Sequence, residues 1–95
     1  MKIVGMIWLD EIEDKIETKH GVAREEVEEV FFIGKPKIKK MRKGHFRNEH
    51  VYRALGQTED GRYVAVFFIY KTNQKALVLS ARDMDDKERQ SYGQK

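Results

Sequence analysis

The chain carries residues of the types that transfer protons, His20, Glu49, His50 and Glu88, and residues that hold negative charge, Lys19, Arg53, Arg82 and Arg89. One chemistry that draws on both is metal-free RNA cleavage, which needs a group to deprotonate a 2′-hydroxyl, cations to hold the charge on the phosphorane, and an acid for the leaving oxygen. Tyr92 serves as an acid or as a stacking partner. Spacing alone does not assemble these residues. A structural alternative stands beside the chemical one: Arg82 pairs with Asp83 or Glu88, and Arg53 with Glu49. Other chemistries lack their signatures. His20, His45 and His50 are scattered without an HxxH or HExxH pattern, so no metal site is expected. There is no Walker loop, no GxGxxG fingerprint and no GxSxG elbow, and Ser80 reads as a strand residue. No cofactor is expected.

Charge is distributed unevenly. The net charge of +3 combines an acidic first third (residues 1–34, net −5), a basic segment (residues 35–53, net +7) and a nearly neutral remainder (residues 54–95, net +1). The basic segment holds Lys35, Lys37, Lys39, Lys40, Arg42, Lys43, Arg47 and Arg53. Such a run offers salt-dependent, sequence-independent affinity for phosphates. Tyr52, Tyr63 and Phe46 offer stacking surfaces, which favours single-stranded RNA over a duplex. The bland reading of the same lysines is a charged edge strand that resists aggregation.

These residues must be positioned by a small fold. Ninety-five residues make one domain, which buries roughly two-thirds of the surface its unfolded chain exposes. The absence of cysteine excludes a disulfide framework and a Cys-based zinc site. The opening MKIVGMIW is too short, and too soon followed by acids, for a signal peptide, and no run has the length of a membrane span.

The stretch Val51–Arg82 organises the chain as a three-strand antiparallel meander: Val51–Gln57, Arg62–Tyr70 and Lys75–Arg82. Asp60-Gly61 marks the first turn and Lys71–Gln74 the second. The middle strand is apolar on both faces and therefore central. Even-length turns place Leu55, Val64, Val66, Phe68, Leu77 and Leu79 on a helix-packing face. Tyr52, Ala54, Tyr63, Ala65, Phe67, Val78, Ser80 and Arg82 then share the other. A one-residue bulge exchanges such assignments.

Around the meander, Lys2–Trp8 reads as a strand and Asp10–His20 as a helix stopped by Gly21. Arg24–Phe32 reads as a second helix, with Val27, Val30 and Phe31 as its apolar stripe. Lys37–Arg47 is a loop or edge strand. Asp85 and Glu88 have capping-box spacing for a last helix over Asp86–Tyr92.

Three blocks in order resemble BrnT-type toxins. Lys19-His20-Gly21-Val22 is followed by Glu25-Glu26-Val27-Glu28-Glu29-Val30-Phe31. Tyr52-Arg53-Ala54-Leu55-Gly56-Gln57-Thr58 leads to Gly61-Arg62. Ser80-Ala81-Arg82-Asp83-Met84 is followed by Glu88-Arg89 and Tyr92. The resemblance implies a RelE-like α+β fold: a small antiparallel sheet, two N-terminal helices and a short C-terminal helix. It implies a metal-independent ribonuclease toxin of a type II toxin–antitoxin pair that inhibits translation in a bacterial or archaeal cytoplasm. Its implied partners are single-stranded or ribosome-bound RNA and a BrnA-type antitoxin, with the toxin a monomer alone or an oligomer through the antitoxin. Carried over position by position, the catalytic residues are Arg82, Arg53, His20 and Glu88. The RNA-binding residues are Lys39, Lys40, Arg42, Lys43, Arg47 and Tyr52, read from charge and stacking, together with Lys19, Arg89 and Tyr92, which the resemblance adds. His50-Val51 stands where many members have Glu-Arg, which keeps open an alternative: a non-catalytic member that binds RNA or a protein partner.

If the basic segment tracks a phosphate backbone, neutralising Lys39, Lys40 and Lys43 together weakens RNA binding and flattens its dependence on salt, read from binding isotherms across a salt series. An unchanged slope shows that these lysines touch no phosphate.

Overall fold

The computed structural model describes residues 1–42 and 49–93. Lys43 and Arg47, expected to contact RNA, lie outside the described residues, as do His45 and Phe46. The elements run β1 (Gly5–Ile7), α1 (Asp10–His20), α2 (Arg24–Phe32), β2 (Lys37–Arg42), β3 (Val51–Gln57), β4 (Tyr63–Tyr70), β5 (Lys75–Asp83) and α3 (Asp86–Gly93). They form one five-stranded sheet in the order β1-β5-β4-β3-β2, an α+β architecture. The doubly apolar strand β4 is central, and the lysine-rich strand β2 is an edge. None of the described helices is long and apolar enough to cross a membrane.

The sheet is mixed, where an antiparallel one was expected. Strand β1 runs parallel to β5, with Met6 opposite Ala76, while the other pairings are antiparallel. The chain reaches β1 first, and between β1 and β2 the helices α1 and α2 cross one face of the sheet. Those helices cover it with Ile16, Val22, Val27 and Val30, packed against Ala54, Val64, Val66, Phe68, Ala76, Val78 and Ala81.

The turns overturn part of the expected face assignment. Gln57 pairs with Tyr63 and Tyr70 with Ala76, so both connections have odd length. In the first, the Thr58 N–H donates to the Arg62 carbonyl and the Gly61 N–H to that of Thr58, with Gly61 at φ 91°. In the second, Lys71 bonds to Lys75 in the same way and Gln74 takes φ 64°. Each is a tight loop closed by a left-handed residue. An odd count shifts the register by one, which exchanges every side chain between faces. Tyr52 and Ala54 therefore lie on the helix face, opposite Phe68 and Val66, and Leu55 lies on the other face with Ala65. In β5, Val78 rather than Leu77 faces the helices, opposite Phe68.

A bulge then resets β5. Phe68 pairs with Val78 but Phe67 pairs with Ser80, so Leu79 is the extra residue. Beyond it Ala81 faces the helices, and Ser80 and Arg82 face away with Phe67 and Ala65, as the sequence reading expected. Bulges re-aim side chains in this way. Without the bulge, Arg82 would point under α1.

Arg62 fastens the helices to the meander. Its Nε donates to Asp83 Oδ1 at 2.7 Å, its Nη1 to Glu26 Oε1 at 3.0 Å and the Gly21 carbonyl at 2.8 Å, and its Nη2 to the His20 carbonyl at 3.3 Å. That hydrogen bond from Arg62 is the main reason the Asp83 carboxyl titrates below its ordinary range. Glu26 also accepts from the Ala23 N–H at 3.0 Å, starting α2 where Ala23 has no capping side chain. Helix α1 ends at Gly21, whose φ of 62° suits a residue without Cβ.

Helix α2 approaches β3 at Gly56. A Cβ placed there would lie 2.8 Å from Val30 Cγ1, and Val30 is fully buried. Gly56→Ala is expected to destabilise the fold by about 1–3 kcal/mol, as overpacking does. In a Val30→Ala background the same substitution costs less, which denaturant titration of the double-mutant cycle reads directly.

Candidate functional site

The sheet face opposite α1 and α2 carries three cross-strand rows. Lys39, Arg53, Phe67 and Ser80 form the first, Lys37, Leu55, Ala65 and Arg82 the second, and Gln57 and Tyr63 the third. Helix α3 lies over this face on a small core of Leu55, Ala65 and Met84, with Tyr63, Phe67 and Tyr92 packed against it. The spacing of Met84, Glu88 and Tyr92, four residues apart, marks the side of the last turn and helix that meets the sheet.

Glu88 is the centre of the arrangement. Only 5% of it is exposed. Its Oε1 accepts from Arg82 Nη1 at 2.6 Å and from the Asp85 N–H at 2.9 Å. Its Oε2 accepts from Arg82 Nη2 at 3.0 Å and lies 3.6 Å from Arg53 Nη1. The Glu88 N–H returns a bond to Asp85 Oδ1 at 2.8 Å, completing the capping box that starts α3. One carboxylate thus caps a helix, forks an arginine and faces a second. It bridges β3 and β5 over Ala65, whose small side chain leaves the room.

Arg82 is about one-third exposed, its side chain at 35% and that of Arg53 at 16%. The Arg82 guanidinium lies 5.2 Å from the Phe67 ring centroid. Its hydrogen bond to Glu88 pushes its pKa still higher, so it is a permanent cation. Nη1 spends both protons, on Glu88 and on the Asp83 carbonyl at 3.1 Å. Nη2 spends one on Glu88. The remaining edge, Nε–H with the outer proton of Nη2, has no acceptor among the described residues. That edge is a two-donor fork of the shape that binds a phosphate side-on. The buried Nε of Arg53 is likewise without an acceptor.

The structure thus gathers Arg82, Arg53, Glu88, Lys39, Arg89 and Tyr92 on one face of the sheet and onto α3. Arg89 stands 4.4 Å over Tyr63, and Tyr92 meets Tyr63 edge-on at 6.1 Å. It does not bring the other expected residues there. His20 and Lys19 end α1 on the opposite side, where the His20 carbonyl is a partner of Arg62. Tyr52 stacks on Phe68 at 5.8 Å under the helices, and with Lys40 lines a groove of ≈570 Å³ that includes Ile3, Phe31 and Ile38. Arg42 ends β2 beyond a register shift. Of the structural pairings weighed for the arginines, Arg82 with Glu88 is present. Asp83 belongs to Arg62 and Glu49 to Lys71.

Sequence reasoning put Tyr63, Phe67 and Arg82 on one face but missed two parts. Gln57 joins Tyr63 on that face only because the turn between them has odd length. Lys37 reaches over the sheet to the Ser91 carbonyl at 3.0 Å and to the Tyr92 ring at 5.9 Å, tying β2 to α3. No local pattern signals that contact.

The chain is thus a basic α+β domain with its main core under one sheet face and two arginines around a buried carboxylate on the other. The family model for the ribonuclease toxin BrnT of type II toxin–antitoxin systems matches residues 8–88, and the chain belongs to that family. The match spans α1 through Glu88 and so contains the Arg53–Glu88–Arg82 cluster. No curated protein matches the chain.

Glu88→Ala is expected to lower stability by about 3 kcal/mol, because it leaves two guanidiniums facing each other and removes the α3 cap. Urea unfolding measures it. A loss under about 0.5 kcal/mol would show that the cluster does not hold α3.

Proposed function

We propose that this protein is a RelE-like, metal-independent endoribonuclease that inhibits translation and is neutralised by a BrnA-type antitoxin. Family membership supports the ribonuclease toxin, and with it an RNA substrate and an antitoxin partner. The observation that carries the chemistry is the open fork of Arg82, held by Glu88 beside Arg53.

In this reading the scissile phosphate seats on the Arg82 fork with Arg53 beneath it. The 2′-oxygen gives its proton to solvent as it bonds to phosphorus, the 5′-oxygen leaves and takes a proton from solvent, and the two guanidiniums hold the charge that builds on the non-bridging oxygens. Glu88 orients both arginines. With its oxygens engaged by Arg82 and the Asp85 N–H, it acts by positioning rather than as a proton acceptor. Two fixed cations supply the electrostatic stabilisation that a metal ion supplies elsewhere, which supports metal independence. Lys39 extends the cationic row toward the sheet edge, where the RNA backbone runs. His20 and Lys19, across the sheet, stay outside the reacting centre.

Wild-type protein in EDTA is expected to cleave single-stranded or ribosome-bound RNA and leave 2′,3′-cyclic phosphate ends. Arg82→Lys keeps the charge but loses the fork and one bond to Glu88, so it is expected to slow cleavage by about 10²–10³-fold and to lower the melting temperature, with rates compared at a temperature where both proteins are fully folded. If folded wild type cleaves neither substrate, the non-catalytic binding member takes the place of this reading, and the His50-Val51 departure is its explanation.

A further inference from the structure

Beyond the arginine cluster, the same sheet face continues into a pocket of ≈400 Å³ lined by Gln57, Tyr63, Arg89, Gln90, Tyr92 and Gly93. It belongs to the third cross-strand row, one row beyond Ala65 and Arg82. Side chains two residues apart along a strand are separated by about 7 Å. The pocket is therefore a near neighbour of the Arg82 fork, on the side where α3 continues past Glu88.

Its walls have the composition of a base-binding site. Arg89 lies 4.4 Å over the face of Tyr63, which presents a planar cation stacked on a ring. Tyr92 stands edge-on to Tyr63 at an interplanar angle of 80°, and the Lys37 ammonium lies 5.9 Å from the Tyr92 ring centroid. Planar bases stack on tyrosine rings and on guanidinium planes, at about 1–3 kcal/mol per base. Two amides supply hydrogen bonds. Gln57 Nε2 donates to the Gly61 carbonyl at 3.2 Å, which orients the amide and leaves its oxygen as an acceptor. Gln90, exposed on α3, offers both a donor and an acceptor. Among the described residues Arg89 is the only charged one that lines the pocket, and this lining complements a flat, polar-edged ligand.

We propose that this pocket is a nucleobase subsite, in which Arg89, Tyr63 and Tyr92 stack a base next to the scissile phosphate while Gln57 and Gln90 select it by its edge. The inference rests on the ribonuclease reading for its biological meaning, but its binding test does not need turnover. The unmodified chain is titrated with each of the four nucleoside 5′-monophosphates and, separately, with inorganic phosphate, and the ring and backbone NMR signals are followed. The expected result is ring-current shifts of Tyr63 and Tyr92 with nucleotides and none with inorganic phosphate. The four bases are ranked, and the ranking changes at least fivefold in Gln57→Ala/Gln90→Ala. Arg89→Ala, at an exposed position, is expected to weaken every nucleotide alike.

Shifts confined to Arg82 and Arg53, equal for nucleotides and phosphate, would overturn the subsite, as would shifts at neither place. Cleavage-site profiles separate this failure from that of the function. If wild type cleaves RNA and the double glutamine variant cleaves the same positions at the same relative rates, the subsite is wrong and the ribonuclease stands. If nucleotides shift Tyr63 and Tyr92 but neither free nor ribosome-bound RNA is cleaved, the subsite stands and the ribonuclease reading fails.

Discussion

A carboxylate removed from water must be paired or it would not stay ionised, and Glu88 meets that constraint with three partners from three parts of the chain. Arg82 comes from the end of β5, Arg53 from β3, and the Asp85 N–H from the first turn of α3. Helix α3 has eight residues, too few to be stable in isolation. It is held by Glu88, by the Met84 and Tyr92 contacts, and by Lys37 at its far end. The same bonds that fasten the helix also set which edge of Arg82 remains open. Structure and proposed chemistry therefore depend on one charge, and a substitution there acts on both.

The two faces of the sheet divide the work. Under α1 and α2 the face is almost wholly apolar, with small or β-branched residues close-packed against the helices. The opposite face has only a few core residues beneath α3, and its polar rows are left to arginine, lysine, tyrosine and glutamine. Arg62 closes the boundary between them, binding Asp83 on β5 to Glu26 on α2 and to the end of α1. Neighbours in sequence are split by this boundary. Arg82 and Asp83 point to opposite sides, as do Tyr52 and Arg53 and as do Lys39 and Lys40. The described lysines and arginine of one basic segment are consequently divided between two surfaces in the fold.

Membership identifies the kind of protein, and the match ends at Glu88. Arg89 and Tyr92 follow it, on the part of α3 that builds the proposed base pocket. Within the matched span, motif residues such as Lys19 and His20 sit on the helix side, joined to the rest through Arg62 rather than to the arginine cluster. Their place in the motif fits the architecture of the helix end, where Gly21 turns the chain into α2.

Local patterns in the sequence determined the elements. Apolar spacing and the Gly21 stop delimited α1, the Val27–Val30–Phe31 stripe delimited α2, and Asp85 with Glu88 marked the start of α3. The doubly apolar run at Tyr63–Tyr70 marked the central strand. These signals are carried by residues within a turn or two of one another. Only the tertiary structure decided which side chains share a face. Two odd-length loops, each closed by a left-handed residue, and a single bulge at Leu79 set the register, and each moves a whole strand's side chains by one position. They sent Tyr52 under the helices and brought Arg82 out beside Arg53. No local preference predicts the sum of three such shifts, because register is chosen by the packing of the finished sheet.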